Sequence, residues 1–567
     1  MKDELVWQLS GEAGYGVLSS GEMFSKLLKN LGYYIFTSTE YPSQIRGGNN
    51  SFTIRASKEK ITCPGDKIDL FIALDNDSIK MHKLSLKKGS AIICDSSAKV
   101  NVKNSLMIRV PLNELTSKYG DYKKVMMATV GLGASTKVLG IEKNIVIKLI
   151  RERFRGKNPK IIDDNIEAFS QGYDAVNNET KFRLKAVKSN DKGLMLINGN
   201  EALSIASILA GCKLLSCYPM TPSTGIMDYY SKHQESHNLV MHQAEDEISA
   251  INVALGASYS GVRSMTATSG GGFALMNESI SLAGSAELPI VVVLGQRPAP
   301  ATGLPTRTEQ GDLRYAIHAG HGDFPKLVIA PGDAGDCYEL TLDAFNYADK
   351  YQLPAIILTD KYLAVSSESV PEFKSNYSVD RGLIEKNPKK LELLEKFKRY
   401  ALTKSGISPR TLPGTANGMQ CSIGDEHDEE GYIIEEAIDR KKMMDKRLRK
   451  FESMKKELKG KGVKIFGIKE SKNLIISFGS TKGIILEALK EVKAKFLQVR
   501  IMHPFPSEEL TKKAGKYDKL IVIENNQSGQ LSSLIDEHTH LKISKKLLKY
   551  DGRQFKLSEI IKGVRNA

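Results

Sequence analysis

Short apolar runs alternate with amphipathic helical segments along most of the chain. Such alternation predicts parallel β-sheets wrapped by helices, an α/β architecture. A first series has a strand pattern at 5–9, a helix pattern at 20–31 and a closing helix at 125–139. A second series starts with a strand at 194–197, and a third, smaller one starts at 473. The pattern therefore predicts a multidomain α/β protein.

Charged and glycine-rich stretches interrupt these series and suggest the domain boundaries. We expect five segments along the chain: an α/β domain at 1–180, a linker at 181–192, a second α/β domain at 193–370, a charged helical insert at 371–465 and a C-terminal α/β domain at 466–567.

The segment 371–465 contains two charged features that need separate interpretation. Residues 440–464 are rich in lysine and arginine, with apolar residues at helical spacing, which favours a solvated amphipathic helix. Residues 424–431 combine several carboxylates with His427. Without a second histidine at ligand spacing, a solvated acidic turn is favoured over a metal site, and we assign no metal ligand to this chain.

Composition limits the classes of protein. The 567 residues exceed what one core accommodates, and no run of about 18 apolar residues predicts a membrane span. The start lacks a signal-peptide pattern, so we expect a cytoplasmic protein without membrane contact. The six cysteines form no Cys-x-x-Cys pair, which is the usual spacing for iron–sulfur and zinc ligands.

The formal net charge of +15 permits a nucleic-acid partner. However, the excess is spread along the chain, and aromatic residues do not interleave with the basic ones as in single-strand binding surfaces. An acidic protein or a phosphate-bearing small molecule fits the charge equally well. A nucleic-acid-binding protein therefore remains a distant alternative.

The loop 216–224 lies at the carboxyl end of a strand pattern, where open α/β sheets bind ligands. Pro219 and Pro222 stiffen it, and Thr221 between them presents one hydroxyl. Taken alone, the loop is better explained as an ordinary strand-to-helix turn, with Ser223 or Thr224 as N-cap, than as a grip on a small carboxylate or carbonyl.

Three further loops carry candidate chemistry at predicted strand ends. Glu247 lies in the first turn of a helix, either as a cap or as a shielded carboxyl that shares a proton with a ligand nitrogen. Gly270 and Gly271 open a helix with unobstructed N–H groups. Arg307, in a long polar loop, offers a guanidinium to a carboxylate. Together the loops predict one shared cleft.

The motifs in these loops resemble those of 2-oxoacid:ferredoxin oxidoreductase α subunits, in the form that carries a γ domain fused at the N-terminus. The resemblance covers essentially the whole chain. It rests on segments 11–16, 41–48, 218–224, 243–247, 268–272, 303–312, 424–431 and 503–506. One departure is Met220, where the family more often has isoleucine, a nearly volume-conserving change.

The resemblance implies a fold and an activity. It implies a γ-type domain at 1–180, a thiamine-diphosphate-fold pyrimidine-binding domain at 193–370 and a transketolase-C-like domain at 466–567. Such enzymes decarboxylate a 2-oxoacid on thiamine diphosphate, transfer electrons through a [4Fe–4S] cluster to ferredoxin, and form an acyl-CoA. The resemblance implies that Glu247 hydrogen-bonds the aminopyrimidine ring, with Tyr218, Pro219, Gly270 and Gly271 also at the cofactor.

The resemblance further implies that Thr221 and Arg307 hold substrate carboxylates. No Gly-Asp-Gly segment is present for the diphosphate and Mg²⁺, and the cysteines are scattered, so a β subunit is expected to supply that site and the cluster. Arg307 favours 2-oxoglutarate, because a second carboxylate needs a second cationic partner. A broad-specificity or pyruvate-type enzyme remains open.

Overall fold

The computed structural model describes residues 3–43, 48–177, 182–185, 193–374, 376–467 and 470–567. Two of the sequence assignments are therefore only partly covered. Residues 44–47 of the 41–48 motif lie outside the described residues, as does the linker 181–192 apart from 182–185. Within the described part, the chain divides into two compact units. The first comprises 1–197, 366–372 and 556–558, and the second comprises the remainder.

The N-terminal region begins with strands whose central residues are fully buried. Its strands are β1 Glu4–Glu12, β2 Tyr34–Glu40, β3 Asn49–Ser57, β4 Ile68–Ala73, β5 Leu86–Asp95, β6 Leu106–Val110 and β7 Leu194–Ile197. Its helices are α1 Val17–Asn30, α2 Asn76–His82, α3 Leu112–Leu115, α4 Lys123–Val138, α5 Lys143–Arg153 and α6 Pro159–Asp174. The helix at 125–139 was expected to close this domain, but α5 and α6 follow it, and α6 packs on α4.

The middle region alternates strand and helix regularly. Its strands are β8 Leu214–Cys217, β9 Val240–Gln243, β10 Ser264–Thr268, β11 Ile290–Gln296, β12 Leu327–Ile329, β13 Pro354–Asp360 and β14 Glu368–Pro371. Its helices are α7 Gly199–Leu209, α8 Thr224–His237, α9 Glu247–Tyr259, α10 Gly270–Leu275, α11 Asn277–Ser285, α12 Leu313–Ile317, α13 Ala334–Tyr351 and α14 Lys361–Val365.

The C-terminal region contributes a long charged helix and a small sheet. Its helices are α15 Pro388–Glu392, α16 Ala437–Leu458, α17 Thr481–Ala488, α18 Ser507–Ala514, α19 Gln530–His538 and α20 Leu557–Arg565. Its strands are β15 Val463–Phe466, β16 Asn473–Ser477, β17 Lys495–Val499, β18 Ile501–His503, β19 Lys519–Glu524 and β20 Lys545–Leu548. None of the helices in the described ranges is long and apolar enough to cross a membrane.

The first unit is built on a mixed sheet of order β6-β5-β4-β1-β3-β2-β14-β7, here called the first sheet. Its strand β7 was expected to begin the second domain, yet it pairs antiparallel with β14 in the first sheet. Strand β14 in turn pairs antiparallel with β2. Both strands are short, and their partners are distant in sequence, so no local pattern identifies which sheet they join.

The second unit contains two sheets. The second sheet has the order β18-β12-β13-β11-β10-β8-β9 and is parallel except for β18. The third sheet, of order β15-β17-β16-β19-β20, is parallel except for β15. One continuous hydrophobic core includes residues from both, such as Val292 of β11, Ile476 of β16 and Val522 of β19. The two sheets of this unit therefore share one apolar interior.

The charged segment before the third sheet is more buried than its composition predicted. Lys446 and Lys450 on α16 are fully buried and both contact the carboxylate of Glu287. His427 is also fully buried, with its ring against that of Tyr400. The helix is therefore amphipathic with one exposed face, as expected, but its other face buries two lysines whose charges the Glu287 carboxylate compensates. The carboxylates of the acidic turn are exposed or half-buried, whereas its histidine is buried.

Candidate functional site

Four loops meet at one edge of the second sheet. Strands β8, β9, β10 and β11 are mutually parallel, with β8 between β9 and β10 and β11 on the far side of β10. Because parallel neighbours end at the same edge, the loops that follow them lie close together. This edge carries the loop after β8, the start of α9, the start of α10 and the long loop 297–312.

Glu247 begins α9, but it is not the cap of that helix. The capping residue is Asp246, whose carboxylate accepts a hydrogen bond from the backbone N–H of Ser249 at 2.7 Å. Glu247 is only 4% exposed, and among the described residues its Oε1 has no hydrogen-bond partner. A buried carboxylate oxygen without a partner is costly, so its position points to a donor from outside the chain.

Gly272 allows this carboxylate to occupy its place. A Cβ at Gly272 would lie 2.6 Å from Oε1 of Glu247 and 2.1 Å from Oγ1 of Thr268. Neither distance is sterically possible, so no other residue fits here without moving the carboxylate. The hydroxyl of Thr268 in turn donates to Sδ of Met220 at 3.7 Å. The glycine turn after β10 thus joins Glu247 to the loop after β8.

The loop after β8 is fixed by its own hydrogen bonds. Asn200 Nδ2 donates to the carbonyl of Pro222 at 2.9 Å, and the hydroxyl of Ser223 donates to the carbonyl of Met220 at 2.8 Å. Pro222 also packs on β11, since a Cβ at Gly295 would lie 2.9 Å from its Cγ. The loop is therefore a rigid wall, as its two prolines predicted.

The predicted site residues around this loop and the glycine turn differ in their exposure to solvent. Tyr218 is 38% exposed, and Pro219 is exposed beside it. Thr221 and Gly270 are half-buried, whereas Gly271 is exposed. These five residues therefore present accessible surface near the buried Glu247, which is the arrangement that a cofactor ring requires.

Arg297 is a site residue that sequence reasoning missed. Its Nη1 donates to the carbonyl oxygen of Thr221 at 2.9 Å, so a guanidinium lies directly beside the predicted substrate loop. The signal was its position, because Arg297 immediately follows the last residue of β11. Arg307, the residue chosen from sequence, lies ten positions further along the same loop.

The backbone next to Arg307 contacts a segment that is distant in sequence. Its backbone N–H donates to the carbonyl of Leu304 at 3.0 Å, and the next residue, Thr308, donates to the carbonyl of Gly552 at 3.3 Å. The side chain is half-buried. The assignment of Arg307 to a substrate carboxylate thus stays a prediction, and Arg297 is a second candidate for the same role.

Asp312 adds a buried acid to the same edge. A Cβ at Gly270 would lie 3.0 Å from its Oδ2, so the carboxyl lies against the glycine turn. Burial raises the pKa of Asp312 to about 6, although the nearby Arg297 guanidinium opposes the rise. Burial likewise lowers the pKa of Arg297. The edge therefore holds an acid that titrates near neutral pH beside a cation.

The described residues contain no group of three or more His, Cys, Asp or Glu side chains that could hold a metal ion. None of the six cysteines, all within the described ranges, forms a disulfide bond; Cys421 is half-buried and the others are buried.

Family models match three consecutive parts of the chain. Residues 6–175 match the pyruvate ferredoxin/flavodoxin oxidoreductase model, and residues 205–446 match the thiamine-diphosphate-binding model of pyruvate flavodoxin/ferredoxin oxidoreductases. Residues 471–560 match core domain II of pyruvate:ferredoxin oxidoreductases. The second match contains Glu247, Arg297 and the loop between β8 and α8.

Relatives of known name match over nearly the full length. The α subunit of a 2-oxoacid:ferredoxin oxidoreductase from Sulfolobus sp. is 33% identical, with 98% of this chain and 96% of the relative covered. The 2-oxoglutarate oxidoreductase subunit KorA of Mycobacterium tuberculosis is 28% identical over 100% of this chain and 92% of its own.

A solved structure is similar over the whole chain. It is the 2-oxoglutarate:ferredoxin oxidoreductase from Magnetococcus marinus with 2-oxoglutarate, coenzyme A and succinyl-CoA bound, which is 32% identical with a TM-score of 0.90 and covers 100% of both chains. These findings confirm the resemblance and the α/β fold class, and the chain belongs to the α subunits of the 2-oxoacid:ferredoxin oxidoreductases, enzymes that act as subunits of a complex.

Proposed function

We propose that this chain, together with a β subunit, catalyses the CoA-dependent oxidative decarboxylation of a 2-oxoacid with reduction of ferredoxin, and that 2-oxoglutarate is the favoured substrate. The observation that carries the proposal is the Oε1 atom of Glu247. It is buried, lacks a partner among the described residues, and lies beside an accessible wall of the strand-end cleft.

The residues present fit thiamine diphosphate. Glu247 would accept a hydrogen bond from the aminopyrimidine ring, and Gly272 leaves room for the carboxylate to reach it. Tyr218, Pro219 and the backbone of Gly270 and Gly271 would contact the ring face. When bound, thiamine diphosphate supplies the electron sink that lets a 2-oxoacid lose carbon dioxide. Glu247 would hold or release the proton shared with the ring nitrogen.

The substrate would be held by the loop after β8 and the loop after β11. Thr221 and Arg297 are adjacent, so we assign them to the carboxylate next to the reacting carbonyl. Arg307 is assigned to the distal carboxylate of 2-oxoglutarate, since a dicarboxylate needs two cationic partners. A relative named only as a 2-oxoacid enzyme keeps the broad-specificity alternative open.

A partner is part of this proposal. The chain has neither a Gly-Asp-Gly segment for the diphosphate and Mg²⁺ nor clustered cysteines for a [4Fe–4S] cluster, so we assign both to a β subunit. Ile248, which follows Glu247, is 48% exposed, and Leu275 at the end of α10 is 51% exposed. Two exposed apolar side chains beside the cleft support a protein surface that covers it. We also propose the five segment boundaries given above. Strands β7 and β14, at the two ends of segment 193–370, pair in the first sheet and not in the second.

The partner is tested by purifying the chain from its source and identifying what accompanies it. We expect a smaller chain with a Gly-Asp-Gly segment and bound iron and sulfide. The complex should reduce a low-potential acceptor only when both a 2-oxoacid and CoA are present. Full activity of the isolated chain would contradict the partner assignment.

The role of Glu247 is tested with Glu247→Gln. Loss of a positioned acid–base group typically lowers kcat by about 10²–10⁴-fold, and we expect a loss in that range. Glu245→Gln is the matched control, because Glu245 is an exposed carboxylate two residues away. A Glu247→Gln enzyme with near-normal kcat and unchanged stability would refute the assignment.

The substrate assignment predicts different effects for the two arginines. Arg297→Gln should lower kcat/KM for 2-oxoglutarate and for pyruvate alike, because both carry the carboxylate next to the carbonyl. Arg307→Gln should lower kcat/KM for 2-oxoglutarate by about tenfold or more while changing that for pyruvate little. Equal losses for both substrates in the Arg307 variant would exclude its assignment to the distal carboxylate.

A further inference from the structure

Gln310 attaches the polar loop 297–312 to the third sheet and is fully buried. Its backbone N–H donates to the carbonyl of Asn525 at 2.7 Å, and its side-chain Oε1 accepts from the N–H of Asn525 at 3.0 Å. Its Nε2 donates to the carbonyl of Phe478 at 2.9 Å, and its own carbonyl accepts from Nδ2 of Asn526 at 3.1 Å. These partners follow the ends of β16 and β19, so one residue of the loop is bonded to two strands of another sheet.

The third sheet is shaped to accept the Gln310 amide. Gly479, which follows Phe478, has a φ of +63°, and a Cβ there would lie 2.5 Å from Nε2 of Gln310. Any other residue at position 479 would therefore displace the amide. Removing the amide would in turn leave a buried carbonyl and a buried N–H without their partners, which is costly. The contact is thus specified from both sides.

Asn525 extends this connection to the turn behind Arg307. Its Nδ2 donates to the carbonyls at both ends of the turn, to Lys549 at 2.7 Å and to Arg553 at 3.1 Å. Within the turn, a Cβ at Gly552 would lie 3.3 Å from Cβ of Arg307. The backbone of the turn therefore lies directly against Arg307, and Asn525 holds the turn in that place.

Thr308, the residue after Arg307, is bonded to both sheets. Its backbone N–H donates to the carbonyl of Gly552 at 3.3 Å. Its hydroxyl donates to Oδ1 of Asp360, at the end of β13 in the second sheet, also at 3.3 Å. The second of these bonds keeps the loop attached when contacts to the third sheet are lost. Loss of the Gln310 amide should therefore shift Arg307 without detaching the loop.

The other arginine of the cleft, Arg297, is held by contacts within the second sheet and its loops. Its guanidinium donates to the carbonyl of Thr221 at 2.9 Å. The preceding residue, Gln296, donates from Nε2 to the carbonyl of Thr359 at 3.0 Å, and its Oε1 accepts from the N–H of Asp312 at 3.0 Å. The two arginines of the cleft are therefore positioned from different sheets.

We propose that Gln310, through Asn525, positions the Arg307 guanidinium and thereby determines how strongly the enzyme prefers a 2-oxoacid with a second carboxylate. A guanidinium binds a carboxylate through two parallel N–H donors, so a small displacement of its backbone weakens the contact. Gln310 is a positioning residue, since it acts through the turn behind Arg307. The inference rests on the assignment of Arg307 to the distal carboxylate under the proposed function. It gives the third sheet a part in the choice of substrate.

The test is steady-state kinetics of the complex, purified with its companions, carrying Gln310→Met. This change keeps the length of the side chain and removes both of its hydrogen-bonding groups. We expect kcat/KM for 2-oxoglutarate to fall at least tenfold, mainly through KM, and that for pyruvate to change less than about threefold.

Gln498→Met is the matched control. Gln498 is an equally buried glutamine in β17 of the third sheet, and its Nε2 donates to Asp336 at 2.7 Å. Its replacement removes a comparable hydrogen bond, but the ratio of kcat/KM for the two substrates should stay within about twofold of wild type. An unchanged ratio in Gln310→Met, or an equal shift of the ratio in Gln498→Met, overturns the proposal.

Hydrogen exchange measures the attachment of the loop without any substrate. The amides of residues 303–312 should exchange at least tenfold faster in Gln310→Met than in wild type or in Gln498→Met, and unchanged exchange overturns the proposal. Should Gln310→Met not fold, Gln530→Met takes its place, because Gln530 is half-buried and its Nε2 donates to the carbonyl of Gly311 at 2.6 Å. That variant must raise the exchange and shift the substrate ratio about threefold or more, and no change in either overturns the proposal.

The wild-type complex separates a failure of this inference from a failure of the proposed function. A wild-type complex that uses 2-oxoglutarate no better than pyruvate would refute the proposed substrate, and the specificity role of Gln310 with it. A wild-type preference for 2-oxoglutarate that persists unchanged in Gln310→Met would refute the role of Gln310 alone.

Discussion

Glu287 offers the most quantitative test of the second unit. Its carboxylate is fully buried and contacts the ammonium groups of Lys446 and Lys450, the latter at 2.9 Å. Burial alone would raise the pKa of Glu287, but the two lysines hold it well below its usual range. Glu287→Gln removes the negative charge while preserving the shape, so two buried ammonium groups lose their counter-charge.

The loss of unfolding free energy depends on whether the two lysines stay protonated once Glu287 is replaced. Burial lowers the pKa of Lys450 to about 8 even with Glu287 present, and it also lowers that of Lys446. Without Glu287, deprotonating Lys450 at pH 7 adds about 1.4 kcal/mol, for the one pKa unit between 8 and 7. Removing one partner of a buried ion pair typically costs about 3–5 kcal/mol, and we expect a loss in that range because Lys446 loses the same counter-charge.

The assay is thermal unfolding followed by near-UV circular dichroism or calorimetry. With an unfolding entropy of about 2.1 cal/mol/K per residue over roughly 360 residues, a loss of 3–5 kcal/mol lowers Tm by about 4–7 °C. Asp439→Asn is the control, because Asp439 forms an exposed pair with Lys442 on the same helix. We expect its Tm to change by less than about 1 °C.

The pH dependence supplies the refuting result. A lysine whose pKa is depressed in the folded state binds fewer protons there than when unfolded, so stability rises with pH between its folded pKa and about 10.4. In Glu287→Gln both lysine pKa values fall further, which moves this rise to lower pH. The gap in Tm from wild type should therefore shrink between about pH 7 and pH 10. A constant gap, or a gap under about 1 °C at pH 7, would refute the reasoning.

Three further predictions concern the cleft and the sheets beside it. Gly272→Ala should abolish turnover by displacing the Glu247 carboxylate, whereas Gly256→Ala in α9, with nothing within 4 Å of its Cβ, should stay active and gain up to about 1 kcal/mol. Asp312→Asn should stabilise the fold by about 1–3 kcal/mol at pH 7, because the raised pKa of Asp312 means that its ionised carboxylate destabilises the folded state above about pH 6. Unfolding in guanidinium chloride at several pH values should show this gain in stability decreasing toward pH 4. Lys482→Met should destabilise by about 3–5 kcal/mol, because its buried ammonium contacts Asp336 at 2.8 Å, and an unchanged denaturation midpoint would contradict this.

The sequence predicted those features that depend on local pattern. Parallel strands and their helices follow from alternating apolar runs, and the start of α9 at Glu247 follows from the polar residues before it. The loop after β8 was placed at a strand end because the apolar run stops at Cys217. The fold class and the sheet edge at which the candidate loops lie therefore needed no knowledge of tertiary contacts.

What the sequence could not predict depends on contacts between distant residues. Arg297 and Arg307 share one polar loop, and only the approach of Thr221 identifies the guanidinium that lies beside it. The burial of Lys446 could not be inferred from a lysine-rich helix, since its acidic partner lies 159 residues away. In both cases a polar group is placed by a partner that no local pattern reveals.

The position of β14 has a consequence for synthesis on the ribosome. Strand β2 pairs with β3 on one side, while its other side is met by β14, which follows β2 by roughly 330 residues and about 16–66 s of translation. Until then, the nascent N-terminal region presents an incomplete sheet edge, a known template for misassociation. We therefore expect this nascent chain to depend on chaperones until residue 371 has emerged from the ribosome.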